Sequence, residues 1–323
     1  MKKCIQMIAH LLALLTLAGC GAPAINPTGT QFTETQAETT EDQTETTENV
    51  TAQEDDTLNI LMVGNSFCYH FCEELYYMLQ SAGIKANVCN VYSSGCKLEQ
   101  HWNWWKEGAS KYDFIIHNEA GKQSKKNVNL EYCMAQYDWD VITLQESSAV
   151  MRAKDPVAAL KESAKYREDL YGLFSEKFPQ AKLYWQQTWA YQVGFTSSKY
   201  SVDAAEQAAY HERQRTYALG VCKENNVSRI PSGDAWKIVR DGGYDNLCAR
   251  TGNNNGLGDN YHDGDIGGGQ YLNACVWFER VLGQNCIGNT FRPDYSLSED
   301  MIAMLQQAAH DTIALLKADE EGM

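Results

Sequence analysis

Positive charge is what this chain has least of. Lys and Arg number 27 against 42 Asp and Glu, the net charge is −15, and no Lys or Arg lies between Lys3 and Lys85. A protein that grips nucleic acid presents a basic surface, so the balance argues against that partner. The nine cysteines from Cys68 to Cys286 are odd in number and lack the tight spacing of a disulfide framework or a zinc site. Cys68 and Cys72 stand four apart on an expected helix, yet two ligands do not make a zinc site, and the pair reads as small buried apolar residues. Asp259, Asp263 and Asp265, with Asn253 to Asn255 nearby, fail the EF-hand spacing and lack its terminal glutamate, so no calcium loop is expected. Gly267-Gly268-Gly269 precedes a helix without any Gly-Lys-Ser or Gly-Lys-Thr, which leaves tight helix packing as its reading rather than a phosphate cradle. There is no internal repeat.

What is present begins with an address. Lys2 and Lys3 precede the apolar stretch Ile5 to Leu17, which ends in the small residues Ala18 and Gly19 before Cys20. The stretch is too short to cross a bilayer comfortably, and the three regions together read as a secretory signal. Leu17-Ala18-Gly19-Cys20 resembles the lipobox of bacterial lipoproteins, in which the cysteine is lipidated and becomes the mature N-terminus. The resemblance implies a leader over 1–19, lipidation at Cys20 and an exported lipoprotein anchored through that lipid to the outer face of the cell membrane. From Gly21 to about Asp56 the chain is Thr, Glu, Gln, Asp and Pro with almost no large apolar residue, so it cannot bury enough surface to offset the entropy of ordering. Residues 20–56 are thus expected to form an acidic tether. Residues 57–323, with no second linker, are expected to form one large domain.

Within that domain, short β runs alternate with helical stretches. Strands are expected at 59–63, 86–92, 140–144, 182–187 and 227–230, and helices at 73–82, 157–178, 204–224, 271–281 and 298–317. Phe114 to His117 also has strand character, whereas Gly121 to Lys126 reads as an exposed loop. This alternation implies a parallel sheet covered on both faces. Ligands collect at the carboxyl edge of such sheets, and polar loops follow these strands at Asn65-Ser66, Ser94-Gly95 and Gln145-Glu146.

The first of these loops carries chemistry. Ile60-Leu61-Met62-Val63 stops abruptly in Gly64-Asn65-Ser66, and a serine at a strand-to-helix turn is exposed beside free helix N–H groups. An ordinary helix cap at Ser66 is the plain alternative. Far downstream, Asp259-Asn260-Tyr261-His262 supplies an aspartate that can fold back to accept the Nδ1–H bond of the histidine, leaving Nε2 to face a serine. His70, His101, His117 and His211 have no such arrangement and read as surface or core residues.

Gly-Asn-Ser on the first strand with Asp-x-x-His late in the chain resembles the SGNH hydrolases, the GDSL-like serine esterases. The wider set of Gly64-Asn65-Ser66, Trp139-Asp140-Val141-x-x-Leu144-Gln145-Glu146, Asp259-x-x-His262 and Tyr271-Leu272-x-Ala274-Cys275-x-Trp277-Phe278 is similar to one bacterial branch known chiefly as a domain of unknown function. The resemblance covers about Leu58 to Val281 and implies a flavodoxin-like three-layer α/β sandwich with a central parallel sheet of about five strands. It also implies Ser66 as nucleophile, His262 as base, Asp259 as its partner, and an oxyanion hole formed by the Ser66 backbone and Gly95. The third-block Gly-x-Asn-Asp is absent, which makes Gln145 the nearest side-chain donor. Asp263-Gly264 follows the histidine where that branch commonly has Leu-Ser.

The function expected from the resemblance is a cell-surface serine esterase acting on small acyl esters, with carbohydrate O-acetyl groups as the candidate substrate and no metal or organic cofactor. Trp102, Trp104, Trp105, Trp185, Trp189 and Tyr191 offer aromatic faces for a sugar. Two other readings share the same anchor: a non-catalytic glycan-binding lipoprotein on this fold, and a solute-binding lipoprotein. The latter needs two lobes and a hinge, against the continuous single-domain pattern.

Overall fold

A computed structural model describes residues 56–153, 155–197, 200–251 and 259–321. The expected leader, Cys20, all but the last residue of the tether, and Asn253 to Asn255 lie outside the described residues.

The elements run β1 (Leu58–Gly64), α1 (Cys72–Ser81), β2 (Ala86–Tyr92), α2 (Leu98–Glu107), β3 (Tyr112–Asn118), β4 (Gly121–Val128), α3 (Leu130–Met134), β5 (Val141–Leu144), α4 (Ser148–Met151) and α5 (Pro156–Lys177). They continue with β6 (Lys182–Gln186), the two-residue strands β7 (Thr196–Ser197) and β8 (Tyr200–Ser201), α6 (Ala204–Asn225), β9 (Ser228–Ile230), α7 (Ser232–Asp241), α8 (Gly269–Leu282) and α9 (Glu299–Glu321). A seven-stranded sheet has the order β4-β3-β2-β1-β5-β6-β9. Its five parallel strands are the five expected ones, and their order, second-first-third-fourth-fifth, is the flavodoxin arrangement.

Two strands extend the sheet beyond that expectation. β3 pairs antiparallel with β2, and β4 with β3, so Gly121 to Lys126 is edge strand rather than loop. The difference has a physical reason: β4 is exposed along nearly its whole length and carries Lys122, Lys125 and Lys126, a composition that blunts an edge against further pairing and also mimics a loop.

β1 shows why the sheet is central. Ile60 to Val63 are all fully buried. Ile60 and Met62 join one core with residues of α1, α7, α8 and α9, while Leu61 and Val63 join the other with residues of α2, α3, α5 and α6. A strand covered on both faces reads as a continuous apolar run, as this one does. α8 is buried from Gly269 to Glu279, which is why its apolar residues occur all round the helix. The nine cysteines within the described residues are unpaired and eight are buried, in keeping with packing rather than bridging.

Candidate active site

The chain reverses to the other side of β1 between β2 and β5, so the loops after these three strands share one end of the sheet. Asn65, not Ser66, is the cap there. Its Oδ1 accepts the Phe67 N–H at 3.1 Å, and Ser66 opens a single 3-10 turn over Ser66–Cys68. Among the described residues the Ser66 hydroxyl has no hydrogen-bond partner, so capping leaves it free. Asn65 Nδ2 donates to the Cys96 carbonyl at 3.0 Å, tying the loop after β2 to the loop after β1. Gly64 is required by packing rather than by the turn itself: a Cβ there would lie 2.5 Å from Gln145 Cγ and 2.8 Å from Cys68 Sγ.

Asp259 organises the second half of the site. Its Oδ1 accepts the backbone N–H of His262 at 2.9 Å and of Tyr261 at 3.3 Å, and its Oδ2 accepts the His262 Nδ1–H. Asn260 makes the intervening bend at φ 59°, a conformation that asparagine tolerates. Burial alone would raise the Asp259 pKa, but the bonds from the His262 ring and the two N–H groups bring it down to about 2, so the carboxylate stays ionised. From outside, Trp189 Nε1 donates to the Tyr261 carbonyl at 2.9 Å and the Gln192 N–H to the Asn260 carbonyl at 2.8 Å. The His262 Nε2 atom is buried and without a partner.

His70 packs against that imidazole, and sequence reasoning missed it. The rings stack with centroids 4.8 Å apart, and Arg250 Nη2 lies 2.8 Å from His70 Nδ1. A guanidinium only donates, so Nδ1 accepts and the His70 proton sits on Nε2. Burial, then the charge of Arg250, lowers the His70 pKa to about 3. The available signal was its position four residues after Ser66. The same Arg250 donates to the Asp263 carbonyl. Asp263, fully buried, accepts Asn273 Nδ2 at 3.1 Å, and burial pushes its pKa up to about 7 against the pull of Arg250.

Ser66, His70, Gly95 and His262 line one cavity of about 420 Å³, together with Tyr92, Arg152, Tyr191 and Tyr261. Cavities of about 530 and 520 Å³ along α5 include none of the expected site residues. Gly95 adopts φ +62°, a conformation that favours glycine, and its carbonyl accepts Ser147 Oγ at 3.2 Å. The N–H groups of Ser66 and Gly95 have no partner among the described residues.

Gln145 takes a different place from the one its position suggested. It is 1% exposed and does not line the cavity. Its Nε2 donates to Asn65 Oδ1 at 2.8 Å and to the Glu146 carbonyl at 3.4 Å, so both of its N–H bonds are committed away from the serine. The extra methylene relative to asparagine carries the amide past the cavity wall into the Asn65 network. Glu146 is a clamp as well, accepting the N–H of Ser147 at 2.6 Å and of Leu98 at 3.4 Å, and the Ser163 hydroxyl.

The remaining expectations divide. His101, His117 and His211 are buried outside the cavity. Trp185 and Trp189 are core, and Trp102, Trp104 and Trp105 pack partly buried against the second core, so of the six aromatics proposed as a sugar face only Tyr191 reaches the cavity. Asp265 ties a turn by accepting from the Thr251 and Ile266 N–H groups at 2.7 and 2.8 Å. Gly267 and Gly269 meet neighbouring backbone so closely that a Cβ would lie 2.2 Å from the Asn246 carbonyl and 2.6 Å from that of Leu247, which is the tight packing expected.

A sequence family described as "Domain of unknown function (DUF4886)" matches residues 59–312, and the chain belongs to it. The resemblance carried by the four motifs is thereby borne out. A crystal structure of a DUF4886 protein from Bacteroides uniformis is 24% identical, with a TM-score of 0.69, over 80% of this chain and 95% of its own, and shares the fold. A protein from Parabacteroides merdae, provisionally described as a GDSL-like lipase, is 14% identical with a TM-score of 0.45, over 70% of this chain and 96% of its own. An acetyl xylan esterase is 11% identical with a TM-score of 0.44, over 69% of this chain and 100% of its own. No protein of curated function matches in sequence.

Proposed function

We propose that this DUF4886 protein is a serine hydrolase that cleaves small acyl esters through an acyl-Ser66 intermediate. The observation that carries the reading is His262: Nδ1 is bound to Asp259, and Nε2 is unpartnered at a cavity that Ser66 and Gly95 also line. In the first step His262 Nε2 takes the Ser66 proton as Oγ attacks the ester carbonyl, and the Asp259 carboxylate stabilises the imidazolium that forms. The tetrahedral oxyanion is held by the N–H groups of Ser66 and Gly95. Collapse expels the alcohol, which takes the proton from His262, and water attacking by the same route releases the acid and restores Ser66.

The acyl group is small, acetyl by preference, and the alcohol is a carbohydrate, a reading supported by the aromatic and hydroxyl lining of the cavity and by the surface address of the leader. On this reading the protein works as a lipoprotein held at the outer face of the cell membrane through Cys20. A fluorophosphonate reagent tests the chemistry, because only an activated serine reacts quickly. Wild-type protein should be labelled at Ser66 and hydrolyse acetyl esters, and Ser66→Ala should do neither beyond a small residual. Unlabelled wild type with no turnover would instead fit a glycan-binding protein on a retained hydrolase fold.

A further inference from the structure

We propose that Arg152 selects the substrate by binding a carboxylate carried on the ester, beside the acyl group attacked by Ser66. This rests on the hydrolase reading for its kinetic part, whereas its binding part stands independently.

The cavity departs from the composition of the chain. Acidic residues outnumber basic ones 42 to 27 overall, yet among the described residues no Asp or Glu lines this cavity, and its one Lys or Arg is Arg152. Arg152 follows α4 directly, and its backbone N–H closes that helix on the Ser148 carbonyl at 3.1 Å, which fixes where the side chain starts. No carboxylate among the described residues forms an ion pair with it. Its neighbours are aromatic: the guanidinium carbon lies 5.2 Å from the Tyr191 ring centroid, 5.6 Å from Tyr200 and 6.0 Å from Phe195. Ring faces stabilise the cation, and the Tyr191 hydroxyl accepts one of its N–H bonds, which leaves the rest of the fork without a carboxylate partner. Its Nε is buried with no acceptor.

A guanidinium set among aromatic rings in a cavity wall, with no carboxylate beside it among the described residues, is placed to receive an anion that enters the cavity. The group that fits is planar and anionic, takes two parallel N–H bonds, and enters through the cavity. A substrate carboxylate has that geometry. Tyr191, which shares the cavity and donates its hydroxyl to Ser148 Oγ at 2.7 Å, holds the cation at one position, while Ser94, Thr196 and Ser197 add hydroxyls along the wall. The carboxylate can sit on either half of the ester. A uronic acid acetylated on a ring hydroxyl places it on the alcohol, and a dicarboxylic half-ester places it on the acyl group.

The test compares matched pairs of esters on the intact protein. One pair is acetylated methyl glucuronoside against acetylated methyl glucoside, and the other is 4-nitrophenyl hemisuccinate against 4-nitrophenyl acetate. The readout is the kcat/KM ratio of the anionic to the neutral member. Wild type should favour the anionic member of one pair by about tenfold or more, and the pair that responds names the half bearing the charge. Arg152→Gln should lower that ratio about tenfold, Arg152→Glu should lower it further, and Arg152→Lys should restore part of it. A ratio unchanged within about twofold in both Arg152→Gln and Arg152→Glu overturns the proposal.

Binding supplies the independent arm. In a Ser66→Ala background, calorimetry should detect methyl glucuronoside or succinate binding, weakened about tenfold by Arg152→Lys and abolished by Arg152→Gln. Binding that is unchanged in these variants for every anion that binds, or no binding of either anion to the Ser66→Ala protein, also overturns the proposal. If Ser66 is not labelled but anion binding depends on Arg152, the hydrolase reading alone has failed. If both ester pairs are cleaved without dependence on Arg152, the selectivity inference alone has failed.

Discussion

The imidazole rings of His70 and His262 lie stacked, 4.8 Å apart with their planes at 20°. His262 is held edge-on by Asp259 and face-on by His70, so two independent contacts fix its orientation. The proposed mechanism needs His70 to stay neutral. A second cation against the ring would oppose the imidazolium that the proposed mechanism forms on His262, and burial, together with the charge of Arg250 at His70 Nδ1, keeps His70 neutral.

His70→Ala should therefore lower kcat/KM on a neutral acetyl ester about tenfold to a hundredfold, chiefly through kcat, because the base is less well oriented. His70→Phe keeps a ring face against His262 and should recover most of the loss. Steady-state kinetics over pH 5–9 read this directly. Equal loss in both variants would show that the His70 nitrogens, rather than its ring face, are what matter.

Gln145 and Asn65 give a second expectation. The Gln145 amide orients Asn65, which in turn holds the Phe67 N–H and the Cys96 carbonyl beside Gly95. Removal of a true oxyanion donor costs about a hundredfold to a thousandfold in kcat. Gln145→Ala should cost less than about tenfold in kcat but about 1–3 kcal/mol in stability, since it strips a buried hydrogen-bond partner from Asn65. Asn65→Ala should cost more in both, because three contacts go at once. Urea unfolding beside single-turnover kinetics separates the two outcomes.

Asp259→Asn should reduce kcat by about a thousandfold to ten-thousandfold, the loss expected when an orienting carboxylate is replaced and the histidine takes the wrong tautomer. It also has a signature in stability. The folded pKa of Asp259 is about 2 against an ordinary 3.8, so its contribution is present above pH 3.8 and lost as pH falls through 2. Wild type should exceed Asp259→Asn by about 1–2 kcal/mol at pH 6, and the gap should close toward pH 2 in an acid-unfolding series.

Much of this was legible in the chain because the informative elements are repetitive or local. Ile60 to Val63 alternates between two buried faces, and Asp259 reaches His262 within three residues. α2 was not expected because Trp102, Trp104 and Trp105 interrupt an otherwise polar run and pack on the sheet only as parts of a helix. β4 hid behind its lysines. The contacts between Asn65 and Gln145, His70 and Arg250, and Arg152 and its three rings join residues from 39 to 180 positions apart, and spacing carries no record of them. Only the position of His70, four residues after Ser66, left a trace.

Asp263 provides the last expectation, and its sign is opposite to that of Asp259. Burial lifts the folded pKa to about 7 from an ordinary 3.8, so the folded protein holds a proton that the unfolded chain releases. Its stabilising contribution is complete below pH 3.8 and is lost as pH rises through 7, a change of up to about 4 kcal/mol. Asp263→Asn keeps an oxygen to accept from Asn273 and cannot ionise. The variant should therefore lose less stability than wild type between pH 4 and pH 8, and should be the more stable of the two at pH 8. Glu74, buried and raised to about 8, titrates with the same sign, so Glu74→Gln is needed as a parallel series. A wild-type slope between pH 4 and pH 8 that Asp263→Asn leaves intact and Glu74→Gln removes would assign the whole effect to Glu74. It would also mean that Arg250, 3.9 Å from Asp263 Oδ1, keeps that carboxylate ionised in the core.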